Sequence, residues 1–320
     1  MTEKKKIVVI AGGNGGPISI NALKQYRDDF DLSSIAPMSD SGGSSGQLRK
    51  EFGVLPPGDI MRHVLAMSSF DYQTLKQIFY RTRFSHAGKL DGHNLGNLFL
   101  VLGQKYDGDF LHALTALHQA IDALGTVYPV TLEPSDLCVE LTNGETIVGE
   151  HAIDRPTYDR SLKIKRAWLE PSPHLFDGAE KAIEAADVIV VGPGSLYTSI
   201  VPILAVEGAR EAIGRSKANI IFVAGNAREL HGETGPKTLS ACVAQLEAFL
   251  PRAADAIVYN NHVFTEDEQA HYAEKQWGLI AFDPENLPGR NMVAEDYEKD
   301  GGGLSSEKLG EILKEILKNI

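Results

Sequence analysis

Residues 36–59 hold the densest set of chemically capable side chains in this sequence. An apolar strand end gives way to Ser39-Asp40-Ser41-Gly42-Gly43-Ser44-Ser45-Gly46, then Arg49 and Lys50, then Pro56-Pro57-Gly58-Asp59. The loop has almost no side-chain bulk, so its backbone N–H groups can curl around an anion. The hydroxyls of Ser44 and Ser45 and the cations at Arg49 and Lys50 complement such an anion, which points to a phosphate or diphosphate. Asp40 and Asp59 supply the one or two carboxylates that Mg²⁺ takes beside phosphate oxygens. Asp59 reads equally well as an N-cap for the helix that follows it.

Four further loops carry polar or glycine-rich signals. Gly12-Gly13-Asn14-Gly15-Gly16 follows an apolar run and departs from the dinucleotide pattern G-x-G-x-x-G, so it serves either as a plain tight turn or as a place of close ligand approach. Gly192-Pro193-Gly194-Ser195 opens a hydroxyl-rich helical stretch, which suits an anion seat or ordinary capping by Ser195. Asn226 follows another apolar run and suits recognition of a base or ribose. In Gly92-His93-Asn94-Leu95-Gly96-Asn97, His93 and Asn97 orient a ligand or satisfy backbone groups, and His93 is also a candidate to deprotonate an acceptor hydroxyl.

The elements that must position these loops repeat one pattern: a short β-rich run, a glycine loop, an amphipathic helix. The runs at 6–11, 187–191, 219–224 and 256–259 are apolar at nearly every residue, which predicts strands buried on both faces of a parallel sheet. The expected fold class is α/β, a Rossmann-like parallel sheet flanked by helices, forming one domain over residues 1–320. Ligands bind such sheets at the strands' carboxyl ends near a topological switch, so the loops at Gly12, Asp40, Gly192 and Asn226 should converge. Residues 127–169, with an Asn143-Gly144 turn, read as a small β-rich insertion. Residues 283–320 read as a loop and a C-terminal helix, whose stripe of Leu309, Ile312, Leu313, Ile316 and Leu317 docks on the body.

Composition narrows the class. At 320 residues the chain can bury a large core. No apolar run approaches the ~18–20 residues of a membrane span. Met1-Thr2-Glu3-Lys4-Lys5-Lys6 and the short apolar run after it read as a first strand rather than a signal peptide. The two cysteines, Cys138 and Cys242, are far apart and lack metal-type spacing, which fits a reducing cytoplasm. A net charge of −12 disfavours nucleic acid as a partner and leaves a small nucleotide ligand in a locally positive pocket.

Taken together and in order, the motifs resemble those of the 2-phospho-L-lactate transferase superfamily (CofD-like), in its gluconeogenesis-factor branch (YvcK-like, UPF0052). They are Gly12-Gly13-x-Gly15, Asp40-x-Gly42-Gly43-Ser44-Ser45-Gly46-x-Leu48-Arg49, Leu55-Pro56-Pro57-Gly58-Asp59-Ile60, Tyr80-Arg81 with Phe84, Gly92-His93-x-Leu95-Gly96-Asn97, Gly192-Pro193-Gly194-Ser195-Leu196-Tyr197-Thr198-Ser199-Ile200 and Gly232-Glu233-Thr234. The resemblance spans roughly residues 6–262. It implies a nucleotide-diphosphate site, self-association, and one of two functions. One is binding of nucleotide diphosphates or UDP-sugars such as UDP-N-acetylglucosamine in the control of cell-wall synthesis or carbon metabolism. The other is Mg²⁺-dependent transfer of a phospholactyl group from a nucleotide diphosphate donor to a hydroxyl acceptor. On either reading Gly12, Gly13, Asn14, Gly15, Gly43, Ser44, Ser45, Asn97, Gly192, Gly194, Ser195 and Asn226 would contact ligand and Arg49 would neutralise phosphate. Asp40, Asp59 and His93 would carry any chemistry, with Asp40 and Asp59 holding Mg²⁺. Two single positions and one run depart from the family pattern: Ser41 replaces the second of two adjacent acids, Asn14 replaces Thr, and Arg228-Glu229-Leu230-His231 replaces Met-Thr-Gln-Pro.

Overall fold

The run Lys5–Ile10 forms strand β1, and Ile7, Val8, Val9 and Ile10 are all buried, as a strand covered on both faces requires. A computed structural model describes residues 4–320; Met1, Thr2 and Glu3 of the basic start lie outside the described residues. On one side of β1 lie β2 (Phe30–Ala36) and β3 (Thr126–Pro129). On the other lie β7 (Val188–Val191), β8 (Asn219–Val223), β10 (Ala256–Asn260) and β12 (Met292–Glu295). The order is β3-β2-β1-β7-β8-β10-β12 and every pairing is parallel. Chain order therefore reverses between β1 and β7, which creates a switch-point crevice at their carboxyl ends. The Rossmann-like α/β expectation is met.

Two boundaries differ from those read in the sequence. Val127 is buried and residues 126–129 pair with β2, so this strand completes the large sheet instead of opening the insertion. The insertion's antiparallel sheet consists of β4 (Asp136–Leu141), β5 (Thr146–Val148) and β6 (Ile164–Glu170), with Leu137, Val139 and Leu141 alternating into the core. In the C-terminal stretch, Met292–Glu295 adds the edge strand β12 beside β10. The last helix, Ser306–Lys318, docks on the body as expected: Leu309, Leu313 and Leu317 are buried and Lys5 Nζ donates to the Leu317 carbonyl at 2.7 Å. A two-stranded antiparallel ribbon, β9 (Ala227–Glu229) with β11 (Trp277–Leu279), stands over the crevice.

Helices α1 (Gly15–Lys24), α2 (Gly43–Phe52) and α3 (Gly58–Met67) start in the loops that leave β1 and β2 or directly after α2. A Cβ on Gly15 would collide with the Pro193 carbonyl, and one on Gly16 with the His63 imidazole. Their absence lets α1 touch both the β7 loop and α3, and Ser19 Oγ adds a 2.7 Å hydrogen bond to the Gly192 carbonyl. His63 cannot yield, because its Nδ1 pairs with Ser34 Oγ at 2.8 Å and the ring is fully buried. Burial, then the Arg62 charge, lowers its pKa to about 3, so the ring is neutral.

Gly16→Ala is therefore expected to destabilise the fold by about 1–3 kcal/mol through overpacking, outweighing the ~1 kcal/mol that Ala gains in helix propensity. Urea denaturation of Gly16→Ala, His63→Ala and the double variant checks it. The Gly16 substitution should be tolerated once the ring is gone, and simple additivity of the two effects would refute the contact.

Candidate functional site

At the switch point lies a cavity of about 260 Å³. One wall is the first turn of α1, Asn14 and Gly15; the facing wall is the loop Pro193-Gly194-Ser195 after β7. Gly225 and Asn226, Arg228 of β9, Trp277 of β11, and Gly303 and Leu304 from the segment after β12 also line it. Small residues dominate two of these walls, leaving backbone groups as the lining a ligand would meet.

Beside the cavity, on the β2 side, sits a cluster of acids. Asp59, at the start of α3, accepts from the Gly13 N–H at 3.2 Å and pairs with Arg62 Nη1 at 3.1 Å. Arg62 also binds the Tyr80 hydroxyl and lies over that ring, with its Cζ 4.7 Å from the centroid. Asp40 Oδ1 caps its own loop through the Gly42 N–H at 2.9 Å. The third acid is Glu150, on a short helix of the insertion, Glu150–Asp154, that reaches the Asp40 loop through a hydrogen bond from the His151 N–H to Ser41 Oγ at 3.0 Å. Burial pushes Asp59 up to about 6, with Arg62 opposing and Asp40 reinforcing the shift. Burial, then the Asp40 and Asp59 charges, pushes Glu150 up to about 8. These three carboxyls share one field. Among the described residues no set of three or more His, Cys, Asp or Glu side chains is arranged to hold a metal ion by itself.

Cluster and cavity adjoin. Gly13 touches Asp59 while the next residue, Asn14, lines the cavity; Glu150 faces the acids while Asp154, one turn on, lines the cavity.

The loops at Gly12, Asp40, Gly192 and Asn226 follow the parallel strands β1, β2, β7 and β8 and so leave the sheet at one edge. A Cβ on Gly12 would meet Pro37 Cγ at 2.8 Å, and one on Gly194 would lie 3.6 Å from the Gly12 carbonyl. Individual side chains take more specific positions. Ser44 is buried between His93 Nδ1, at 2.8 Å, and Asn97 Nδ2, at 3.1 Å, so His93 and Asn97 pin the first turn of α2. Ser45 packs against Gly58, next to Asp40. Gly43 has the positive φ that lets α2 start beneath the loop. Arg49 does not line the cavity: its guanidinium pairs with Asp136 at 2.8 Å and with the Ser135 carbonyl at 2.9 Å, tying α2 to the insertion. Asn226 lines the cavity, but its amide donates to Glu298 at 3.0 Å, within a buried network that includes Asn260, Tyr272 and the Gly303 N–H. The helical turn after Ser195 already carries an internal anion. Glu233 accepts from the N–H groups of Tyr197 and Thr198 at 3.2 and 2.9 Å, and burial raises its pKa to about 7.

Sequence reading passed over Glu150, Asp154, Trp277, Glu298 and the segment 303–304, all far in sequence from the glycine loops. Arg228 was noticed only as a departure from a pattern. Nothing local marks these residues, since crossover connections and the insertion bring them to the crevice.

A family model described as 2-phospho-L-lactate transferase CofD matches residues 7–298. The gluconeogenesis factor of Bacillus subtilis is 32% identical over 329 residues, covering 99% of this chain and 100% of that protein. The gluconeogenesis factor of Halalkalibacterium halodurans is 34% identical over 291 residues, covering 89% of this chain and 86% of that protein. The crystal structure of a UPF0052-family protein from Bacillus halodurans has a TM-score of 0.89 to this structure at 30% identity, covering 98% of this chain and 100% of that one.

The raised carboxyl pKa values make stability depend on pH. An unfolded Glu titrates near ~4.3, so above that value the folded chain holds protons that the unfolded chain has lost. The stabilisation is complete below the unfolded value and declines as pH rises through the folded one. Below pH ~6.5, His63 at about 3 and His118 at about 4 act with the opposite sign, because their unfolded imidazoles bind protons there. Between pH ~6.5 and the folded value of about 8 for Glu150, Tm is expected to fall, and Glu150→Gln to flatten the decline. Thermal melts across that range check it; an unchanged slope in the variant contradicts the buried state of this carboxyl.

Proposed function

This chain belongs to the CofD family, and from that premise we propose that it binds a nucleotide diphosphate, with UDP-sugars as the ligand class, in the manner of a gluconeogenesis factor. It would act in the cytoplasm, as a self-associating protein, in control of cell-wall synthesis or carbon metabolism. Among the described residues no helix is long and apolar enough to cross a membrane, and both cysteines are free. The observation that carries the reading is the cavity between Asn14–Gly15 and Gly194–Ser195 at the β1/β7 switch point. The Gly15 and Gly16 N–H groups donate to the Gly12 carbonyl at 3.1 and 3.2 Å and Pro17 has none, so what the start of α1 offers the diphosphate is the positive end of the helix dipole. Trp277, whose ring lies under the Lys275 ammonium at 4.8 Å and packs edge to face with Tyr272, lines the cavity where a base or sugar ring would sit.

Mg²⁺ fits the neighbouring acids. Asp40 Oδ1 is committed to Gly42, and Asp59 Oδ1 to Gly13 and Arg62; among the described residues no hydrogen bond engages Oδ2 of either residue. Two carboxylates completed by phosphate oxygens meet the demand of this cation. Bound there, it would neutralise charge on the diphosphate.

The buried Asp59–Arg62 pair beside Gly13 favours a second reading, transfer of a phospholactyl group. An acceptor hydroxyl would attack the distal phosphorus of the donor, the bond to the nucleoside monophosphate would break, and the monophosphate would leave. Positioning and charge neutralisation carry such a reaction. The hydroxyl proton would pass to a base, and His93, held by Ser44 through Nδ1, keeps Nε2 for that role.

Calorimetry with UDP-N-acetylglucosamine, UDP-glucose, GDP and GTP is expected to show at least one ligand, whose affinity in Mg²⁺ falls about tenfold or more in Asp40→Asn, the loss expected for a ligand contact to a charged group. No binding across the panel sinks the proposal. Release of nucleoside monophosphate from a phospholactyl-nucleotide donor, with a deazaflavin acceptor and Mg²⁺, would decide for the transferase.

A further inference from the structure

The cavity contains an unusual charge balance. Its lining carries three carboxyl side chains, Asp154, Glu229 and Glu233, and among the described residues a single cation, Arg228. The carboxyls are already answered. Arg155 pairs with Asp154 at 3.4 Å and with Glu229 at 3.0 Å, and Glu233 is held by the helical turn after Ser195. Arg228 is not answered: its Nε is buried without a hydrogen-bond partner, and no carboxylate among the described residues pairs with its guanidinium. A guanidinium is never deprotonated in a protein, so this charge persists. Leaving it partly buried and unpaired is costly unless something else completes it.

The local structure holds Arg228 in place. It sits in β9, paired with Gly278 of β11, and a Cβ on Gly278 would make an ordinary 3.6 Å contact with Arg228 Nη2, which places the guanidinium against that strand. The chain just beyond is clamped by Arg160, whose Nη1 and Nη2 donate to the carbonyls of Gly232 and Leu230 at 2.9 and 2.6 Å. Lys163 lies close enough to Arg228, Lys237 and Arg160 for its charge to interact with each of theirs, so cations gather at this corner of an acidic protein. Arg49, the cation that sequence motifs nominate, is consumed by Asp136.

We propose that Arg228 is the residue that pairs with the anionic phosphate of the ligand in this cavity. The pairing is charge-assisted and a guanidinium can make it bidentate, so Arg228 sets affinity for phosphorylated over unphosphorylated ligands. The inference rests on the nucleotide-diphosphate reading above and assigns its counter-charge.

The test compares wild type, Arg228→Met and Arg228→Lys by calorimetry with UDP-N-acetylglucosamine, GDP, uridine and guanosine, at low and moderate salt. Met preserves length without charge. For whichever diphosphate binds wild type, Arg228→Met is expected to lose about 10- to 100-fold in affinity, with a shallower salt dependence. The Lys variant should retain part of the affinity, and any nucleoside binding should be unchanged. Circular dichroism melts establish that the variants fold; if Arg228→Met does not, Arg228→Gln takes its place. Undiminished diphosphate affinity in the charge-free variant overturns this assignment alone, as does an equal loss for nucleoside and diphosphate. Wild type binding nothing in the panel overturns the nucleotide reading and this assignment together.

Discussion

The crevice exists because α1 approaches its neighbours more closely than a side chain permits. Gly15 lies against the Pro193 carbonyl and Gly16 against the buried His63 ring, and neither neighbour has room to retreat. That contact sets the angle at which β1 delivers its loop and puts the start of α1 opposite the β7 loop. It also places Gly13 over Asp59. Cavity and acid cluster are thus two consequences of one packing constraint, and a methyl group in the wrong place would separate them.

Buried charge around the crevice is managed in three ways. Asp59 is offset by Arg62 and a backbone N–H. Glu233 and Glu298 are ringed by hydrogen-bond donors, the first stabilising a helical turn and the second locking Asn226, Asn260, Tyr272 and Gly303 together. Glu150 has the Ser41 backbone N–H set against burial and two neighbouring acids, and Arg228 has no carboxylate partner among the described residues. Desolvation of a carboxyl is met by taking up a proton, which is why Glu150 rises furthest into the neutral range. A guanidinium has no such escape, so Arg228 depends on a partner from outside the protein.

The insertion and the C-terminal segment are more than decoration on the sheet. The first delivers Glu150 to the acid cluster and Asp154 to the cavity and binds Arg49; the second lines the cavity with Gly303 and Leu304 and supplies the edge strand β12. Because both are anchored in the same contiguous core as the sheet, their side chains are presented at fixed positions.

The sequence by itself determined the parallel sheet, since runs such as 7–10 and 188–191 are apolar on both faces and admit no other covering. It also determined which loops meet, because a parallel sheet sends all its carboxyl ends to one edge. The docking of the last helix was legible in its apolar stripe. Only the tertiary structure decided where the charges go. Arg49, His93, Asn97 and Asn226 have the right chemistry for a ligand, yet each is engaged by a partner 49 to 87 residues away or, for Asn97 and Asn226, 53 and 72 away. Glu150 and Arg228 reach the crevice through connections whose path no local pattern encodes. Backbone burial follows periodicity along the chain, whereas the pairing of side chains depends on distances across it.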